Sequence, residues 1–207
     1  MIRLRRFVRR LRSNEEGSYI IEFAFLIVPF LVIILGGMDL AHQSYVKAML
    51  QGTLSDSARR ASVEDPVFSA EGATLEERVK NTLRKQVDPV APGATYELEV
   101  KNFFDFTGVG RAEKLVFDKS KNGRYDASDM DCFEDLNRNG SFDLDTGRTG
   151  VGGASDVVFY EATVTMPRLF PTASLIGFSD EITLSATAAV RNQPYDDQTV
   201  PPTLCGA

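Results

Sequence analysis

Sixteen consecutive residues, Phe23 to Met38, carry no charge, and six arginines (Arg3, Arg5, Arg6, Arg9, Arg10 and Arg12) stand ahead of them. With Ser18 to Ile21 the stretch reaches about twenty residues, roughly 30 Å as a helix, which is the thickness of a bilayer's hydrocarbon core. Only Lys47 adds positive charge shortly beyond Met38. This asymmetry predicts a cytoplasmic arginine end and an exported remainder from Asp39 onward. A secretory signal peptide has a shorter apolar core and a small-residue cleavage site after it. Here the run leads into Asp39, Leu40, Ala41, His42 and Gln43, so the helix is expected to stay with the protein.

Glu22 interrupts this picture, because a carboxylate near hydrocarbon is costly and tends to mark function or a specific partner. The plain reading places it at the lipid headgroups. The sharper one uses spacing: Gly17 is followed by Ser18, Tyr19, Ile20 and Ile21, and Glu22 is fifth after the glycine. That resembles the prepilin leader, which a membrane aspartyl peptidase cuts after a glycine on the cytoplasmic side. The cut frees an amino terminus with a glutamate at its fifth position.

The residues that follow narrow the resemblance. Glu22, Phe23, Ala24, Phe25, Leu26, Ile27, Val28, Pro29, Phe30 and Leu31, then Gly36, Gly37, Met38, Asp39 and Leu40, resemble the opening of the TadE-like pseudopilins of tight-adherence (Tad, or Flp) pilus systems. Asp39 stands for the acidic residue usual at that point, and the likeness is close from Gly17 to about Ala61. The resemblance implies a minor pilin, cleaved between Gly17 and Ser18 by a prepilin peptidase. It also implies assembly with other Tad pilins through the amino-terminal helix, with Glu22 meeting a free amine, and a part in pilus assembly and adhesion. The implied location is the inner membrane, single pass, with a periplasmic carboxy-terminal domain and incorporation into an extracellular pilus as a further expectation. Arg168, Leu169, Phe170 and Pro171 also resemble a segment found in several TadE-like proteins.

Cleavage after Gly17 would remove six arginines and two glutamates, leaving 17 basic against 27 acidic residues and a net charge of −10. So acidic a domain is not expected to bind nucleic acid or anionic membrane surfaces by its field alone. The 169 residues after Met38 suffice for one modest core. The expected organisation is a leader over 1–17, a transmembrane helix over 18–38, an amphipathic extension over 39–64, an exported α+β domain over 65–193 with an insertion at 118–154, and a flexible tail over 194–207.

Ala41, Tyr45, Ala48 and Met49, then Leu50, Leu54, Ala58 and Ala61, recur at helical spacing, so the membrane helix is expected to continue to about Ser62. Thr74 and Glu77 have the spacing of a capping box ahead of a short helix from Leu75 to Val87. Alternation at Ala94 to Lys101, β-branched and aromatic residues from Val157 to Met166, and alternation again from Ile182 to Val190 predict three strands. The fold class is therefore α+β: a long amino-terminal helix leading to a small antiparallel sheet, pilin-like, with a calcium-loop insertion.

That insertion holds the one ligand constellation. Asp118, Ser120, Asn122, Asp126 and Asp129 occupy positions 1, 3, 5, 9 and 12 of a twelve-residue calcium loop, with Gly123 at 6 and the carbonyl of Arg124 at 7. A second copy 17 residues on supplies Asp135, Asn137, Asn139, Ser141 and Asp143; its position 12 is Thr146, with Asp145 one place early and Glu134 or Asp131 as sources of a borrowed ligand. Tyr125 and Phe142 fall at position 8 of each. The competing reading is that Asn-Gly and Asp-rich segments are simply exposed turns. Two cysteines, Cys132 and Cys205, could form a disulfide in an oxidising compartment, closing a loop of more than seventy residues. The only histidine, His42, has no nucleophile or acid set around it in sequence, so an enzyme is not expected. The alternative to the pilin reading is an uncleaved single-pass, membrane-anchored calcium-binding receptor or adhesin.

Overall fold

The computed structural model describes residues 16–170, 174, 177 and 179–206. Helix α1 runs from Glu16 to Ala61, through Pro29 without a break. The chain divides into two units, one of residues 1–44 and 168–180, the other of residues 45–167 and 181–207.

In the first unit the apolar side chains of α1 point outward. Tyr19, Ile20, Phe23, Phe25, Leu26 and Ile33 are all exposed, and the most apolar 18-residue window of the helix buries nothing. Water does not tolerate such a surface over several turns, so the segment has the length and composition of a membrane span. Asp39 is the exception: it is buried and meets Arg168 and Leu169.

The second unit is an α+β domain. Its core takes Val46, Leu50, Leu54, Ala58 and Ala61 from one face of α1 and Val79, Leu83 and Val87 from helix α2 (Leu75–Val87). The expected helical stripe is thus corrected by rotation: Ala41, Tyr45 and Ala48 are exposed, and Val46 begins the buried row. Spacings of four and three keep these five residues on one side of a 3.6-residue helix. Thr74 caps α2 by accepting the Glu77 N–H at 3.2 Å, while the Glu77 carboxylate accepts the Ala73 N–H at 2.7 Å.

The helices cover a four-stranded antiparallel sheet made of β1 (Thr95–Phe103), β4 (Arg148–Thr149), β5 (Val157–Pro167) and β6 (Glu181–Arg191), in the order β4-β1-β5-β6. Its register aligns inward rows: Tyr96 with Val164 and Leu184, Leu98 with Ala162 and Ala186, Val100 with Tyr160 and Ala188. The opposite face carries Glu97, Thr163 and Ser185, then Glu99, Glu161 and Thr187. Period-two alternation with one wet face is what an antiparallel sheet covered on one side requires.

A second sheet, absent from the sequence expectation, ties the insertion to the segments on either side: β2 (Lys114–Phe117), β3 (Cys132–Glu134) and β7 (Thr203–Cys205), in the order β2-β3-β7. The expected loose tail is corrected here, because residues 203–205 pair with β3 in the register Cys132 with Cys205, Phe133 with Leu204 and Glu134 with Thr203. Cys132 and Cys205 are joined in a disulfide. Three-residue strands cannot be read from local periodicity; the cross-strand bond and the partner strand hold this one.

Candidate functional site

Three sets of residues are candidates for functional chemistry, and each lies within one unit. Gly17 and Ser18, the expected processing site, lie in the first turn of α1; the leader up to Glu15 lies outside the described residues. Glu22 is exposed on the same helix, between the exposed Ile21 and Phe23. An acid in an outward apolar band points to membrane or partner helices as its setting.

The second set is at the far end of the apolar stretch. The Asp39 carboxylate accepts from Gln43 Nε2 at 2.6 Å, Arg168 Nη1 at 2.9 Å and the Leu169 N–H at 3.1 Å. Arg168 in turn donates from Nε to the Ser179 carbonyl and from its backbone N–H to the Asp180 carbonyl, both at 2.8 Å. Removing one member of such a buried pair leaves an uncompensated charge, so the pair fixes local geometry more than it adds stability. Sequence reading flagged Asp39 and, separately, Arg168. Nothing in a 129-residue separation could join them.

The third set is the pair of loops in the insertion. Asp118 accepts from the Gly123 N–H at 2.7 Å, the Asn122 N–H and the Ser120 hydroxyl. Seventeen residues on, Asp135 accepts from the Gly140 N–H at 2.9 Å and the Asn139 N–H. Gly123 and Gly140 sit at φ 72° and 81°, conformations that a Cβ disfavours, and Lys121 and Arg138, two places earlier, are left-handed as well. Asn122 Oδ1 accepts the Arg124 N–H and Asn139 Oδ1 the Ser141 N–H. The duplicated register therefore holds at the level of backbone conformation. Tyr125 and Phe142 stack with ring centroids 4.8 Å apart, and Phe133 meets both edge-on.

Each loop is held from outside its own twelve residues by a buried carboxylate that sequence reading did not assign to it. Asp131 accepts the N–H of Lys119 and of Asp126, at positions 2 and 9 of the first loop. Glu113 accepts the N–H of Leu136 and of Asp143, the same positions of the second. Asp131, expected as a ligand lent to the second loop, thus serves the first, and Glu134 pairs with Lys114 at 3.3 Å. Burial pushes the Glu113 carboxyl up, against the pull of the N–H groups of Asp143, Asn137 and Leu136. The Gly123 N–H chiefly holds the Asp118 carboxyl down, and the Ser128 hydroxyl and N–H do the same for Asp126.

The expected ligands are only partly brought together. Ser120 and Asn122 stay beside Asp118, and Asn137 and Asn139 both donate to Asp143. Asp129 lies in a short 3-10 turn that Asp126 caps. Asp145 faces Lys101 at 3.0 Å, whose hydrogen bond lowers its pKa, and Thr146 donates to the Gly108 carbonyl. Among the described residues no three His, Cys, Asp or Glu side chains gather as a metal centre.

Residues 17–59 match the family model of the TadE-like proteins. Over this segment, about a fifth of its length, the chain is similar to TadE-like proteins. The match covers Gly17, Glu22, the outward apolar band and Asp39. No curated protein and no solved structure matches the chain.

Proposed function

We propose that this chain is a minor pilin, or pseudopilin, of a Tad-type pilus, cleaved between Gly17 and Ser18 by a prepilin peptidase. The observation that supports this reading most is the placement of Gly17 and Glu22, five residues apart, at the head of a 46-residue helix whose amino-terminal apolar side chains are mostly exposed. A bare helix of this kind needs lipid or other helices around it, and in a bundle of pilin helices the new amino terminus of one subunit can neutralise the glutamate of another. The protein would sit in the inner membrane as a single pass, amino terminus inside, before joining the pilus and contributing to adhesion. The mass of the membrane form tests this: a chain beginning at Ser18 is expected, and an intact leader would turn the reading toward an uncleaved anchored receptor or adhesin. Glu22→Ala should leave the protein exported and unassembled; normal fibres from that variant would remove the assembly role.

A second proposal concerns calcium. The loops offer hard oxygen donors, and both turn through left-handed glycines whose N–H groups hold the first carboxylate of each loop, Asp118 and Asp135. A cation held by Asp118, Ser120, Asn122, Asp126, Asp129 and the Arg124 carbonyl, and by Asp135, Asn137, Asn139, Ser141 and Asp143 in the second copy, where Asp145 instead pairs with Lys101, would relieve repulsion among the carboxylates. Calcium at millimolar concentration should then raise the melting midpoint of the protein relative to chelator, whereas an unchanged midpoint would leave the loops as turns.

A further inference from the structure

We infer that the connection between β5 and β6 makes a second contact with the membrane, laying Leu169 and Phe170 into the headgroup region of the leaflet that the α1 helix leaves. The inference rests on the reading of α1 as a membrane span. The uncharged stretch of that helix ends at Met38, and Asp39 follows within one residue, about 1.5 Å along the axis. The Asp39 carboxylate takes the Leu169 N–H at 3.1 Å and Arg168 Nη1 at 2.9 Å. The backbone of Leu169 is therefore within one side-chain length of the helix at the level where hydrocarbon gives way to headgroups.

The sequence of the connection is apolar as well. From Leu169 to Ser179 it carries Leu169, Phe170, Leu175, Ile176 and Phe178 and no charged side chain. A connection facing water is ordinarily polar. Leu169 is 48% exposed, so about half of its surface is left without protein cover. Of the charges beside it, Asp39 is 4% exposed and accepts three hydrogen bonds, Arg168 is paired with it, and Asp180, at the far end, stays exposed to water. A matched, hydrogen-bonded pair can stand at the edge of a bilayer where a lone charge would be expelled, and apolar side chains beside it gain by entering the acyl boundary. The occupant is thus the same lipid surface that surrounds α1, continuous with its apolar band.

The chain contains no tryptophan, so a single introduced indole reports without background. The full chain would be reconstituted in phosphatidylcholine vesicles carrying bromine either near the headgroup end or near the tail end of the acyl chains, with Phe170→Trp and Leu169→Trp read separately. Ile33→Trp marks the spanning helix and Val67→Trp a water-facing position. Blue-shifted emission at 169 or 170, quenched more by the shallow bromine, is expected, with deep quenching at 33 and none at 67. Adding Asp39→Asn or Arg168→Gln should abolish most of the quenching at 170. Red, unquenched emission at both 169 and 170 beside a quenched position 33 overturns the inference while sparing the span. A blue-shifted but unquenched indole overturns it in favour of a protein partner, and quenching that survives both pair variants removes the pair as the anchor. An unquenched position 33 sinks the membrane reading itself, and this contact with it.

Discussion

At the scale of single residues, the buried polar groups separate into those with partners and those without. Asp131 is fully buried and holds two backbone N–H groups of the first loop. Hydrogen bonds to a charged group are worth about 1.5–3 kcal/mol each, and stranding their donors adds a desolvation cost. Asp131→Ala should therefore destabilise the insertion by about 3 kcal/mol, read as lost hydrogen-exchange protection at Lys119 and Asp126. Unchanged protection there would deny the brace. Tyr160 is the opposite case: its ring is central to the core, and its hydroxyl meets no hydrogen-bond partner among the described residues. Tyr160→Phe should be neutral or stabilising by up to about 1 kcal/mol in urea unfolding, since it removes a buried polar atom that satisfies nothing. A clear loss of stability would mean that the hydroxyl is engaged. Neither distinction is legible in sequence, because a carboxylate and a phenol look alike there whether or not something meets them.

At the scale of elements, the best-defined local signal is the start of α2. Thr74 and Glu77 satisfy two donors reciprocally, and the helix they open contributes Val79, Leu83 and Val87 to the core. Thr74→Ala should cost about 1 kcal/mol in thermal or urea unfolding, and an effect near zero would mean that tertiary packing alone holds the helix. This element was readable because the cap, the apolar spacing and the following Pro89 all lie within sixteen residues. β1, β5 and β6 were readable for a similar reason, their inward and outward residues alternating along the chain. β2, β3, β4 and β7 span two to four residues each and carry no period of their own. They exist because distant segments supply their hydrogen bonds. The disulfide between Cys132 and Cys205 closes a separation of 73 residues, a constraint of about 4 kcal/mol in the chain-entropy model. Reduction should free Thr203 to Cys205 from β3, detected as exchange at those amides, while the four-stranded sheet persists. Loss of both sheets together would show that they fold as one.

At the scale of the whole molecule, pH reaches stability through the core tyrosines. Burial raises the pKa of Tyr160, and burial with the Asp88 hydrogen bond raises that of Tyr96. Because the folded values lie above the unfolded one, near 10, the stabilisation is complete at lower pH and is lost as pH climbs past that value. Alkaline titration followed by tyrosinate absorbance should show these two ionising only with unfolding; smooth ionisation of every tyrosine near pH 10 would contradict their burial. The amino-acid order alone determined the apolar stretch, the glycine and glutamate at its head, the α+β class and the duplicated loops. These signals are local: charge asymmetry, a period of 3.6 or 2, or a fixed spacing within a dozen residues. What tertiary structure alone decided was which distant groups meet. It set Asp39 against Arg168, gave each loop its bracing acid, withdrew Asp145 to Lys101, and made a strand of the tail. Such pairings depend on where separate elements come to rest, and burial then sets the worth of each charge, two quantities that residues near in sequence do not encode.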